Sequence, residues 1–187
     1  NDKIESFTEN DFDKIGIKYL EELKNLSKKY QRITDKLPIN FKWIGLIKMI
    51  LPNSKIIHCV RNSKDICLSI FKNYFVNPNL NFAYDLDEIC AFYKLYDDLM
   101  KHWSNTIPEF IYDIKYEELI KSPKKEIKNL LKACNLNWSD GCFKFYDNKR
   151  PIKTASDTQV RKKLYKSSIN SWKNYKNYLN KSFIELV

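Results

Sequence analysis

Two hydrophobic periods alternate along this chain. Between Asp11 and Tyr30, apolar Phe12, Ile15, Tyr19, Leu20, Leu23 and Leu26 return at helical spacing, which predicts an amphipathic helix. Gln31 to Asp35 reads as extended, and Pro38 interrupts any helix before a second, strongly apolar one from Asn40 to Leu51. Ile56 to Val60 is a short β-branched run of the kind that forms a buried strand. Ser63 is placed to cap a helix carrying Ile66, Ile70 and Tyr74 on one face and Asp65, Ser69 and Asn73 on another. After an Asn/Pro loop, Asp85 caps a long helix to Trp103 that buries Ile89, Phe92, Tyr93, Tyr96 and Leu99. Phe110 to Ile114 is a second short strand, and Ser122-Pro123 opens a helix reaching Cys134. A shorter helix follows Ser139, and a last one begins at Ser168.

Strand, helix and strand joined by short links make a βαβ unit, so the strands are expected to be parallel. Arg61 stands where the first strand ends and a helix begins. Open α/β sheets bind anions at such junctions, and a guanidinium fork matches phosphate. Taken alone, Arg61 fits a solvated arginine at a strand end better than a phosphate site. From Asp147 to Lys166 the pattern changes: the stretch is polar, carries seven Lys or Arg, contains Pro151 and lacks periodicity. A loop of that length inside a domain reads as a lid, a binding segment or a disordered stretch.

Composition narrows the classes. The 187 residues suit one domain spanning the chain, and 43% hydrophobic with 14% aromatic residues argues for a packed core. A formal charge of +10 favours anionic ligands over cationic ones. Cys59, Cys67, Cys90, Cys134 and Cys142 are odd in number and show no CxxC pair, so they read as reduced residues, with neither a metal site nor a disulfide framework. With no run of membrane-spanning length and no signal-peptide pattern, a soluble cytoplasmic protein is expected. The chain starts without Met and reads as a fragment.

Four segments then combine: Asp35-Lys36-Leu37-Pro38-Ile39-Asn40-Phe41, the pair Arg61 and Ser69, Lys115-Tyr116-Glu117-Glu118-Leu119, and Thr154 to Arg161. With Gly45-Leu46-Ile47 and Pro52-Asn53-Ser54-Lys55-Ile56-Ile57-His58, their order and spacing resemble the sulfotransferase superfamily. The nearest likeness is to bacterial sulfotransferase domains that accompany tetratricopeptide repeats, and a more distant one is to protein-tyrosine sulfotransferases. It runs from about Gly16 to Tyr175.

The resemblance implies a three-layer α/β fold, P-loop-like, with a small parallel sheet. It implies 3′-phosphoadenosine 5′-phosphosulfate as donor, adenosine 3′,5′-bisphosphate as product, and a hydroxyl or amine acceptor on a small molecule, glycan or peptide. By the same resemblance Arg61 and Ser69 hold the 3′-phosphate, and Lys36 stabilises charge on the leaving phosphate oxygen. Tyr116 lies near the adenine, and Ser156, Arg161 and Lys162 sit in a segment, residues 147–166, that closes over the nucleotide. Read from the residues alone, Lys36 is a solvated lysine at a strand end, and Tyr116 is as readily a packed aromatic as a nucleotide contact.

The family also needs a first strand and a Gly-rich loop that cradles the phosphosulfate. Gly16, Gly45 and Gly141 each stand alone, so the first strand and that loop are expected to be missing, and the 187 residues by themselves to transfer little sulfate. His58 and His102 read as structural rather than as replacement bases. Two competing classes remain. A small-molecule kinase needs a phosphate loop with Lys and Mg²⁺ ligands, which the chain lacks. A non-catalytic module binding a nucleotide or polyanion stays open, but the lysines scatter through every helix rather than lining one face as nucleic-acid binding requires.

Overall fold

The computed structural model describes residues 6–26, 32–75, 77–148 and 161–186. Helix α1 spans Glu9–Leu26, a 3₁₀ turn Pro38–Trp43, α2 Ile44–Ile50, β1 Ile56–Val60 and α3 Ser63–Phe71. A 3₁₀ segment Pro78–Tyr84 precedes α4, Leu86–Thr106, and β2, Ile111–Lys115. Then come α5 Tyr116–Lys121, α6 Pro123–Ala133, 3₁₀ turns at Asp140–Phe143 and Phe145–Asp147, a longer 3₁₀ stretch Ser171–Tyr178, and α7 Lys181–Ile184. The strands β1 and β2 pair in parallel as a two-stranded sheet, with α3 and α4 in the crossover, so this is an α/β fold.

Several local expectations are revised. The cap of α3 is Asn62, whose side chain accepts from the Asp65 amide at 3.1 Å, while Ser63 is already inside the helix and buried. Asp85 does cap α4, its Oδ1 accepting from the Asp87 and Glu88 amides at 2.8 and 2.9 Å. Ser122 precedes Pro123 as expected but makes no capping bond through its side chain. The segment after Ser168 folds as 3₁₀ turns because Asn170 takes a left-handed conformation, φ 59°, that an α-helix cannot pass through. Strand β1 is not buried throughout: Ile57 and Cys59, which share one face of the strand, are exposed, whereas Ile56, His58 and Val60 on the other face are half-buried. The expected loop 147–166 lies largely outside the described residues.

By contacts the chain divides into two compact units, residues 1–56 with 99–111, and residues 57–98 with 112–187. In the first unit α1 lies against α2 at Gly16. A Cβ there would sit 2.0 Å from the Ile50 carbonyl oxygen, so hydrogen is the only substituent that fits. Gly45 similarly abuts the Trp103 ring, whose Nε1–H donates to the Phe41 carbonyl at 2.9 Å. Both glycines are thus occupied with helix packing.

The second unit has its own core. Cys67 and Leu68 of α3, Ile89 and Cys90 of α4, and Phe183 and Leu186 at the C-terminal end pack together, with Trp172 and Tyr93 against them. Stacked Phe82 and Phe92, centroids 4.1 Å apart, extend it.

Gly16→Ala tests the α1–α2 approach. In an unconstrained helix the change stabilises by about 1 kcal/mol. Here the new methyl strikes backbone, and a net loss of about 1–3 kcal/mol is expected in urea unfolding. A more stable variant would remove the close approach from the account.

Candidate functional site

The site grows from the junction of β1 with α3. Arg61 follows the strand directly and is half-buried. Its Nη2 donates to the Ser168 carbonyl at 2.5 Å, and its guanidinium lies 5.1 Å from the centre of the Tyr116 ring. Its Nε–H is buried and has no hydrogen-bond partner among the described residues. Both groups that hold Arg61 are neutral, a carbonyl and a phenol ring. A half-buried guanidinium with a free N–H and no carboxylate bonded to it among the described residues is a strong attractor for an anion.

Tyr116 opens α5 immediately after β2. Its hydroxyl bonds the Ser168 hydroxyl at 2.9 Å and the Tyr165 carbonyl at 3.3 Å. The next residue, Glu117, accepts from the Asn62 amide at 2.9 Å, so it pins the turn that carries Arg61. The Lys115–Leu119 motif therefore positions Arg61 from two sides.

Beneath them Asp65, 1% exposed, accepts three bonds from the C-terminal segment: Asn170 N at 2.7 Å, Ser171 Oγ at 3.0 Å and Trp172 N at 3.1 Å. A buried carboxylate is tolerable only with donors arranged this way. Lys64 stacks over the Trp172 ring at 5.2 Å, and the Trp172 Nε1–H is a second buried donor without a partner among the described residues. Lys72 over Tyr175, at 4.9 Å, continues the seam.

Of the residues expected at a site, Arg61 and Tyr116 are brought together. Ser69 is exposed on the later half of α3, its carbonyl accepting from Asn73 Nδ2 at 2.6 Å. Lys36 lies in the first unit, exposed, next to Asp35, whose carboxylate accepts from the Tyr19 hydroxyl at 2.7 Å. Arg161 is half-buried and Lys162 exposed. Ser156 lies outside the described residues. Sequence reasoning missed Asp65, Glu117 and Ser168. Asp65 carried a signal, being an acid ahead of the apolar run Ile66-Cys67-Leu68, whereas Ser168 carried none.

His58 is tied into the sheet rather than solvated. Its Nδ1 bonds Asp113 at 2.7 Å and its Nε2 bonds the Tyr96 hydroxyl. Burial, then the negative field of Asp97, pushes the Tyr93 phenol up to about 12. Burial likewise raises Tyr96, helped by Tyr93, Asp97 and Asp113. His102 packs edge-on to Trp103, 4.8 Å between centroids.

Comparison with known proteins places the chain in a family. A sequence profile of the sulfotransferase family matches residues 5–140, and the chain belongs to that family. An uncharacterized protein of Aquifex aeolicus (strain VF5) is 39% identical over 86% of this chain, which spans 21% of that protein. Proteins of Caenorhabditis briggsae and Caenorhabditis elegans, each named "Putative protein-tyrosine sulfotransferase", are 24% and 25% identical over 75% of this chain. The chain spans about half of their length, 50% and 54%.

Two outcomes are expected. Asp65→Ala strands three donors and should cost about 3 kcal/mol in urea unfolding; a loss below about 1 kcal/mol would mean the C-terminal segment is held by packing alone. In alkali, the unfolded chain releases its phenolic protons near 10, before Tyr93 does so at about 12. Stability should therefore be intact below pH 10 and fall as pH rises towards 12, with Tyr93→Phe flattening the decline. A decline of equal steepness in that variant would assign the loss elsewhere.

Proposed function

We propose that these residues form the donor-nucleotide side of a sulfotransferase, which transfers a sulfuryl group from 3′-phosphoadenosine 5′-phosphosulfate to a hydroxyl or amine acceptor. The observation that carries the reading is the Arg61 guanidinium. It is half-buried, held only by the Ser168 carbonyl and the Tyr116 ring, and its Nε–H lacks a partner among the described residues. A phosphate placed there would satisfy both the charge and the free donor.

In this reading Arg61, with Ser69, holds the 3′-phosphate, and the Tyr116 ring, 5.1 Å from the guanidinium, lies beside the nucleoside. Lys36 supplies positive charge to the leaving phosphate oxygen, lowering the barrier without any proton transfer of its own. Arg161 and Lys162 add positive charge near the nucleotide, and residues 147–166, with Ser156, cover it. Displacement is direct and in line, needing no metal, and the protein works in the cytoplasm. The acceptor is a small molecule, glycan or peptide. The fold supports no phosphosulfate cradle on the chain's glycines, because Gly16 and Gly45 are committed to helix packing and Gly141 to a 3₁₀ turn. Donor binding without appreciable turnover is accordingly proposed for the isolated chain.

Titration calorimetry with adenosine 3′,5′-bisphosphate and with 5′-AMP tests this. The bisphosphate should bind at least about tenfold more tightly, a difference of about 1.4 kcal/mol. Arg61→Ala should abolish the preference and Arg61→Lys, which keeps the charge but loses the fork, should reduce it. Equal binding of the two nucleotides, unchanged in both variants, would overturn the assignment.

A further inference from the structure

The strands that present Arg61 and Tyr116 are five residues each and form a two-stranded parallel sheet. So short a ladder specifies its register weakly through backbone bonds alone. Any slip between the strands would carry Arg61 past Tyr116 by about 3.3 Å per residue.

One side chain ties the strands together. His58 of β1 bonds Asp113 of β2 through Nδ1 at 2.7 Å, and through Nε2 it bonds the hydroxyl of Tyr96, which comes from α4 in the crossover. The His58 and Tyr96 rings also meet edge-on, centroids 5.8 Å apart. The His58 side chain is 17% exposed, whereas that of Asp113 is 52% exposed. Asp113 is therefore a carboxylate acceptor at the rim. Its bond requires the proton on Nδ1, leaving Nε2 to accept from the Tyr96 O–H. In this neutral arrangement each donor has one acceptor.

The numbering makes the consequence definite. Arg61 follows His58 by three residues, and Tyr116 follows Asp113 by three. The register that pairs His58 with Asp113 thus also sets where each strand ends, and so places Arg61, the residue after β1, against Tyr116, the first of α5. We propose that Asp113, His58 and Tyr96 are positioning residues, a register key that holds the Arg61 guanidinium against Tyr116 in the donor site. The proposal rests on the donor reading for the ligand it names. The register itself is a property of the free protein.

Nitrogen-15 NMR of the chain, with calorimetry on the same samples, tests it. In the native sequence His58 should show the Nδ1–H tautomer, and the Arg61 Nε–H should carry a ring-current displacement from Tyr116. Tyr96→Phe removes one hydroxyl. It should leave the fold intact by circular dichroism, yet alter the His58 tautomer signature and diminish the Arg61 displacement. Binding of adenosine 3′,5′-bisphosphate should weaken by about tenfold or more. His58→Asn should act in the same direction, and Tyr93→Phe, a neighbouring phenol not bonded to His58, should change neither reading. Unaltered Arg61 and Tyr116 resonances in both Tyr96→Phe and His58→Asn would overturn the register key. A native protein that fails to prefer the bisphosphate over 5′-AMP would instead strike at the donor reading, while the resonances still decide the register.

Discussion

The buried carboxylate of Asp65 is the constraint on which the site depends. It stands in the first turn of α3, where negative charge is favoured by the helix dipole, and it takes three donors from a segment more than a hundred residues later in the chain. Without those bonds a carboxylate could not stay there; without the carboxylate the Asn170–Trp172 backbone would be left with buried, unpaired N–H groups. Each makes the other possible. The consequence is that Ser168 is delivered to Arg61, and Tyr116 finds hydroxyl and carbonyl partners in the same segment.

That chain of dependence explains why the arginine is poised rather than neutralised. Its orientation is set by neutral groups, so its charge is left over. Nearby carboxylates are already committed, Asp65 to the C-terminal segment and Glu117 to the Asn62 amide. A side chain whose geometry is already fixed in the free protein would lose little on meeting an anion, because ordering it at that moment would cost affinity. The free Nε–H is the local sign of that division of labour.

The glycines show the same logic from the other direction. A protein with only three can spend them on ligand approach or on helix approach. Gly16 and Gly45 are spent on the latter, each meeting backbone or an anchored tryptophan ring within van der Waals distance. Among the described residues the groups gathered around Arg61 are correspondingly side chains and a single carbonyl.

Much was legible in the residues themselves. The β-branched run Ile56 to Val60 appears with the same limits in the structure, the capping Asp85 opens α4, and the motifs around Arg61 and Lys115–Leu119 pointed to the family. These are local signals: propensity, capping and spacing act over a few residues, so sequence determines them directly. The sequence did not disclose that Asn62 rather than Ser63 would cap α3, that the stretch after Ser168 would turn as a 3₁₀ segment, or that Asp65, Glu117 and Ser168 would become the supports of Arg61. The supports of Arg61 hang on bonds between groups 55 to 107 residues apart. No periodicity encodes such pairs; they are chosen only when packing removes water and each buried polar group must find a partner, and that choice belongs to the tertiary structure.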